Sequence, residues 1–272
     1  MKKVIPTTVL TRSIKGWGVS ARLEANDDEV LRGVLRTLPA GFESTAIRTG
    51  RGSSFDALLE VRAAGRQLQL KEAGLLRFQG TSRRALGRRL ADALETLAST
   101  SSRTFAFLHA GGVEVDGRVI LLPGRSHAGK STLVTAFLKR GARYLSDDMV
   151  PVDSSLRAWP FPRPLGIRSA PGRSPTRTPI RSIGGVAARV PLPIALVWCG
   201  RYKPGVRRPS FKRHAGLAAF AQLLAQSPGA QIRPEIIMPI LVGLARGTSV
   251  FSGVRGEAEA MVDALLRRLE TV

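Results

Sequence analysis

One cysteine, Cys199, is all the chain has. That excludes an intramolecular disulfide and a zinc cluster built on cysteine. Long apolar runs are also missing: none approaches the roughly 20 residues a membrane-spanning helix needs. The opening Met1-Lys2-Lys3-Val4-Ile5-Pro6 is basic, but its apolar part is too short and broken for a signal peptide. A cytoplasmic protein with no membrane partner is the expectation. Aromatic residues make up only 6% of the chain, and no helix-turn-helix, finger or RNA-recognition signature appears. Nucleic acid is therefore disfavoured as a partner, even at a net charge of +22. Acidic residues are absent between Asp153 and Glu235, a stretch holding fourteen Lys and Arg. Its positive potential suits an acidic protein or peptide, or a phosphorylated product. It equally suits the solvated faces of an Arg-rich protein.

What remains is ample for folding. A hydrophobic content of 43% over 272 residues supports a real core and two domains. We place a small N-terminal α/β domain over residues 1–100 and a nucleotide-binding domain over 103–272.

The second domain is organised around Val119 to Asp148. An apolar run, Val119 to Pro123, leads into Gly124-Arg125-Ser126-His127-Ala128-Gly129-Lys130-Ser131-Thr132. Gly-x4-Gly-Lys-Ser between a strand pattern and a helix pattern is the context of a phosphate-binding loop, or P-loop. Glycines let successive N–H groups converge on one anion, and the helix beginning near Gly129 adds its positive end. Lys130 would bridge the terminal phosphates, and Ser131 would hold Mg²⁺ through oxygen. Leu133, Val134, Phe137 and Leu138 form one helical stripe, and Gly141 is a natural stop.

Arg143 to Leu145 reads as a strand parallel to the first, so Asp147 and Asp148 should reach the edge that carries the loop. Asp116-Gly117 is a two-residue hairpin turn. Pairing outward sets Val115 against Arg118, Val113 against Ile120 and Gly111 against Leu122. If the ladder runs through Gly111-Gly112, His109 falls opposite Gly124. His127 and His214 have no carboxylate or cysteine at ligand spacing, so no histidine metal site is expected.

Elsewhere, Asp27–Leu38 and Ser82–Leu97 read as helices, with Phe55–Val61 and Gln67–Leu70 as a hairpin and Ser99–Ser102 as a linker. Trp159 to about Ala188 reads as a patternless basic loop, either a lid or a surface excursion. A strand over Pro193–Cys199, helices over His214–Gln226 and Glu235–Ala245, a strand over Thr248–Phe251 and a helix over Glu257–Leu269 complete the chain.

The segment from His109 to Asp148 resembles the catalytic domain of HPr kinase/phosphorylase and its HPr-kinase-related relatives, which is distantly similar to phosphoenolpyruvate carboxykinase. The family has a histidine fifteen residues before the first loop glycine, as His109 precedes Gly124. It has an Asp-Asp pair seventeen and eighteen residues after the loop lysine, as Asp147 and Asp148 follow Lys130. Arg163 to Ile167 is similar to a further family stretch, Arg-Gly-Leu-Gly-Ile. The resemblance implies a mixed-sheet α/β P-loop kinase core using ATP and Mg²⁺. Asp148 would be the general base on a seryl hydroxyl and Lys130 would stabilise the moving phosphoryl group. Ser131 would bind the metal, Asp147 would assist the metal or orient the base, and His109 would support the centre. Phe161 stands where the family places a metal-binding glutamate. Family relatives also form oligomers, so a homo-oligomer is a further expectation.

A serine kinase acting on an acidic protein or peptide is the leading expectation. Alternatives are a kinase for a small-molecule acceptor on the same scaffold, or a catalytically impaired nucleotide-binding module.

Overall fold

The structure is a computed structural model, and it describes residues 9–47, 54–124, 128–167 and 176–272. The protein is a mixed α/β chain that divides into two compact units, Met1–Arg103 and Thr104–Val272.

The first unit contains β1 (Leu10–Gly16), β2 (Val19–Ala25), α1 (Asp28–Leu35), β3 (Phe42–Ala46), β4 (Ala57–Ala64), β5 (Gln67–Glu72), β6 (Leu75–Gly80) and α2 (Arg83–Ser101). Its sheet has the order β3-β1-β2-β4-β5-β6, with β2 and β4 parallel and the other neighbours antiparallel. Alternation buries Ala21, Leu23 and Ala25 of β2, Leu59 and Val61 of β4, and Leu68 and Leu70 of β5. Val30, Leu31 and Val34 of α1 and Leu86, Leu90 and Leu94 of α2 complete this core. Each helix starts on a side-chain cap: Asp27 accepts from Val30 N at 2.8 Å, and Ser82 from Ala85 N at 3.2 Å.

Two features here differ from the sequence expectation. The β1–β2 hairpin turns on Trp17 and Gly18, at φ of 52° and 75°. Trp is not a residue that signals a left-handed turn, so the hairpin was hidden. The expected linker at Ser99–Ser102 is mostly helix. Ser99 and Thr100 hydroxyls donate to Thr96 O at 3.0 and 2.9 Å, which lets polar residues continue the helix.

The second unit contains β7 (Ala106–Leu108), β8 (Ala110–Val115), β9 (Arg118–Pro123), α3 (Lys130–Lys139), β10 (Arg143–Ser146), β11 (Val150–Val152), β12 (Arg157–Ala158), β13 (Leu165–Ile167), β14 (Thr176–Thr178), β15 (Leu192–Tyr202), β16 (Lys212–His214), α4 (Gly216–Leu224), α5 (Pro234–Gly247), β17 (Ser249–Arg255) and α6 (Ala258–Leu269). The large sheet runs β10-β8-β9-β15-β12-β11-β7, and β17 with β16 branches from β15. It is mixed: β15 is parallel to β9 and β17, while β8 is antiparallel to both β9 and β10. One core packs α3 and α6 against the sheet through Val134, Phe137, Met261, Val262 and Leu265. The other packs α4 and α5 through Ala219, Leu223, Ile237, Leu241 and Leu244.

The β8–β9 ladder pairs Val115 with Arg118, Val113 with Ile120 and Gly111 with Leu122, then ends at Ala110 and Pro123. It passes Gly111 and Gly112 without a shift. These glycines serve packing: a Cβ at Gly111 would lie 2.8 Å from Val134 of α3, and one at Gly112 would lie 2.9 Å from Val150 of β11. β9 and β10 run in the same direction, as expected, but they are not neighbours; β8 lies between them. The basic segment after Trp159 is also more ordered than its composition suggests. It holds the β13–β14 hairpin and a 3-10 turn at Ile180–Ile183, with residues 168–175 outside the described set.

Leu90 is 1% exposed, while Arg88 beside it is exposed. Leu90→Ala should therefore cost about 2–5 kcal/mol and Arg88→Ala under about 0.5 kcal/mol, read as shifts in the urea midpoint of the full chain.

Candidate functional site

Three strand ends and one helix start meet at one edge of the large sheet. Gly124 follows β9, and its N–H donates to His109 O at 3.3 Å, which extends the hairpin by one pair. On the other side of β8, Ala110 N donates to Asp148 O at 3.0 Å. His109 is thus placed between Gly124 and Asp148 by its own carbonyl on one flank and by the adjoining Ala110 N–H on the other. Its own N–H donates to Gln226 O at 2.7 Å, so all its backbone groups are engaged.

Gly129 caps α3 in the left-handed region, at φ 80°. A non-glycine residue there would be strained, and its Cβ would collide with the Arg255 guanidinium. The turn aims the N-terminal end of α3, at Lys130 and Ser131, at the edge where His109 and the acid pair lie. Thr132 occupies the first turn of the same helix, and Ala128 sits in the turn before it. The remaining residues assigned to the loop, Arg125, Ser126 and His127, lie outside the described residues.

Lys130 Nζ donates to Gly124 O at 2.6 Å and lies 3.1 Å from His109 Nε2. His109 Nε2 is in turn 3.1 Å from Asp148 Oδ1. That nitrogen bonds Asp148 as a donor or Lys130 as an acceptor, depending on its tautomer. Each tautomer makes one of these two bonds, so the imidazole faces both the ammonium and the carboxylate and bonds one at a time. Arg163 Nη1 bonds the other oxygen, Asp148 Oδ2, at 2.8 Å. The His109 hydrogen bond, with Arg163, His109 and Lys130 charge behind it, holds the Asp148 carboxyl below the usual carboxylate range against the opposing effect of burial.

Asp147 is different. It is 7% exposed, whereas the Asp148 side chain is 43% exposed. Ser131 Oγ donates to Asp147 Oδ2 at 2.8 Å and Gly166 N to the same oxygen at 3.0 Å. The Tyr144 hydroxyl lies 2.9 Å from Oδ1 and 3.1 Å from Arg163 O. Burial first, and the Asp147 charge second, push the Tyr144 phenol well above its ordinary pKa, so it remains a donor.

The five residues expected at the site fall into two contact groups, Lys130, His109 and Asp148 in one and Ser131 and Asp147 in the other, linked through Tyr144 and Arg163. Tyr144, Arg163 and Arg255 join them without having been singled out as site residues. Tyr144 lies three positions before Asp147 in a strand, a spacing with no sequence signature. Arg163 was visible only as part of a family-like stretch. Phe161, at the position of the family glutamate, is 2% exposed and meets Phe107 edge-on with centroids 5.6 Å apart. It belongs to the core and offers no ligand.

Ser131 Oγ and Asp147 Oδ2 are hard oxygen donors 2.8 Å apart at a helix N-terminus. They fit a cation such as Mg²⁺ that keeps most of its waters and takes its other ligands from phosphate. Among the described residues no group of three His, Cys, Asp or Glu is gathered for a metal held by protein alone. No helix among them is long and apolar enough to cross a membrane.

No family model and no curated protein matches the chain. Among solved structures, the HPr(Ser) kinase/phosphatase from Coxiella burnetii is similar over 61% of this chain and 96% of its own, at 15% identity and a TM-score of 0.34. The likeness is a distant one, of fold only.

The Asp148 pairing has a pH signature. Its folded pKa lies below the ordinary carboxylate value of about 3.9. The stabilisation is therefore complete above that value and lost as pH falls through the lower, folded one. His109→Ala removes the largest cause, so the acid-unfolding midpoint, followed by circular dichroism, should move to higher pH.

Proposed function

We propose that this chain is a Mg-ATP-dependent kinase that phosphorylates a hydroxyl, with a serine of a protein or peptide as the favoured acceptor. The carrying observation is the convergence of Lys130 and Asp148 on His109 Nε2, each at 3.1 Å, beside Ser131 and Asp147. Phosphoryl transfer needs an anion cradle, a cation for the migrating group, and a carboxylate within reach of the incoming hydroxyl. The arrangement supplies residues for each.

In this reading Gly124 to Thr132 is the P-loop. The amides at Gly129, Lys130 and Ser131 bind the ATP phosphates, and Lys130 leaves Gly124 O to contact the terminal one. Ser131 and Asp147 would hold Mg²⁺, which would supply charge neutralisation for the phosphates. Asp148 accepts the seryl proton as the seryl oxygen forms its bond to the γ-phosphorus. The bond to the bridging β–γ oxygen breaks and ADP leaves. His109 orients Asp148, and Lys130 balances charge on the equatorial oxygens. The partly exposed Asp148 is the member of the pair open to an acceptor, while Asp147 is buried and takes three hydrogen bonds, from Ser131, Gly166 and Tyr144.

Acidic surroundings for the acceptor serine follow from the flanking charge. β15 is parallel to β9, so its C-terminal end lies at the same edge, and Arg201, Lys203, Arg207 and Arg208 there are all exposed. A second reading, nucleotide binding without transfer, is favoured by the engagement of both Asp148 oxygens and by the apolar Phe161. A small-molecule acceptor uses the same chemistry and differs only in what the edge admits.

Labelled ATP and Mg²⁺ with candidate acceptors separate these. Asp148→Asn should lower transfer by about 10²–10⁴-fold while leaving nucleotide affinity nearly unchanged. Lys130→Ala should weaken nucleotide binding itself, measured by calorimetry. Binding by the wild type with no transfer to any hydroxyl would favour the binding module. Unchanged nucleotide affinity in Lys130→Ala would remove the phosphate-loop assignment.

A further inference from the structure

Arg255 closes β17 and is 2% exposed. It reaches the site because β17, β15 and β9 are successively parallel, so their C-terminal ends share one edge. Its Nη2 donates to Gly129 O at 3.0 Å and its Nη1 to Gly256 O at 2.7 Å. The Tyr202 ring centroid lies 5.3 Å from the guanidinium carbon. Its Nε is buried with no hydrogen-bond partner among the described residues. Its hydrogen-bond acceptors are carbonyls; Glu257 and Glu259 act on it only through longer-range charge, and burial works against its ionised form.

A buried cation whose hydrogen bonds go to carbonyls, with a ring beside it and its nearest acids acting only at longer range, is costly, because no carboxylate is paired with it directly. A protein that needed only a brace for the Gly129 turn could use a neutral donor. The charge becomes favourable if an anion binds next to it, and the first amides of α3 begin one residue beyond the carbonyl that Arg255 grips.

We propose that Arg255 is a further cation of the phosphate-binding site, whose buried charge is balanced by the polyphosphate bound at the start of α3. The inference rests on the phosphate-loop reading given above. Arg255 acts through the Gly129 carbonyl and through its field, and is a positioning residue. It couples the sheet edge to the nucleotide: binding the anion relieves the buried charge, and the charge raises affinity for the anion.

The experiment uses the full chain with inorganic pyrophosphate and Mg²⁺-free ATP as probes. Calorimetric affinity and melting temperature are compared for the wild type, Arg255→Lys, Arg255→Gln and Arg255→Met. Arg255→Lys should bind pyrophosphate within a few-fold of wild type, and the two neutral variants about tenfold or more weakly. The ligand-free melting temperature of the neutral variants should be no lower than that of wild type, since an uncompensated charge has been removed. A mere brace predicts the opposite pattern. Lys, Gln and Met would then lower the ligand-free melting temperature together and bind pyrophosphate alike, and that result overturns the proposal. If either neutral variant does not fold, the other serves; if neither folds while Arg255→Lys does, the charge is structural and the proposal fails. Wild-type protein that binds neither probe would instead overturn the phosphate-loop reading, and this inference with it.

Discussion

The site depends on one strand running the wrong way. β8 lies antiparallel between β9 and β10, so its first residues stand beside the last residues of both neighbours. His109, just ahead of β8, therefore stands between Gly124, bonded to its own carbonyl, and Asp148, whose carbonyl accepts from the next residue, Ala110. Side chains on three different segments, more than ten residues apart in sequence, are fixed by ladder geometry and not by loop conformation. Gly111 and Gly112 make this possible twice over. The β8–β9 ladder passes them without a shift, and their missing Cβ atoms admit α3 on one face and β11 on the other. A helix seated that close to the sheet delivers Lys130 and Ser131 to the same edge.

Neighbouring aspartates are then given different work by burial. Consecutive residues leaving a strand face different surroundings. Asp147 turns inward, where Ser131, Tyr144 and Gly166 supply donors, and such a carboxylate is a fixed point that orients a helix N-terminus. Asp148 remains partly open to solvent, and its partners are the cationic or switchable side chains of Arg163, His109 and Lys130. A carboxylate held below its usual range is a weak base at rest. If it serves as the base of the proposed kinase, an acceptor must displace Arg163 or His109 from one oxygen, which would couple proton uptake to acceptor docking.

The second unit was largely legible because its signals are local and strong. Asp116-Gly117 sets the hairpin register, the glycine-lysine-serine run marks the turn into α3, and the position of the acid pair follows from the direction of β10. The intercalation of β8 was not legible, since parallel direction does not reveal which strands are adjacent. In the first unit only α1, α2 and the β4–β5 hairpin stood out. β1 and β3 are polar-rich, β2 buries the small Ala21 and Ala25 beside Val19 and Leu23, β6 leaves Leu75 and Leu76 exposed, and the β1–β2 turn uses Trp17. Tyr144 and Arg255 reach the site through tertiary placement alone. Each sits in an ordinary apolar strand pattern whose polar end acquires meaning only when the edges are assembled.

The acid-free stretch acquires a location in the same way. β15 and the residues after it run along the edge that holds Gly124 and Gly129, so the exposed cations there stand beside the polar chain and not at random on the surface. The central claim is that one anion site at the start of α3 shares an edge with Asp148. A crystal structure with Mg²⁺ and a non-hydrolysable ATP analogue tests it most directly. The account predicts the terminal phosphate within hydrogen-bond reach of Lys130, with Asp148 facing its open side. An analogue bound elsewhere, or at the start of α3 with Asp148 turned away from the terminal phosphate, would contradict it.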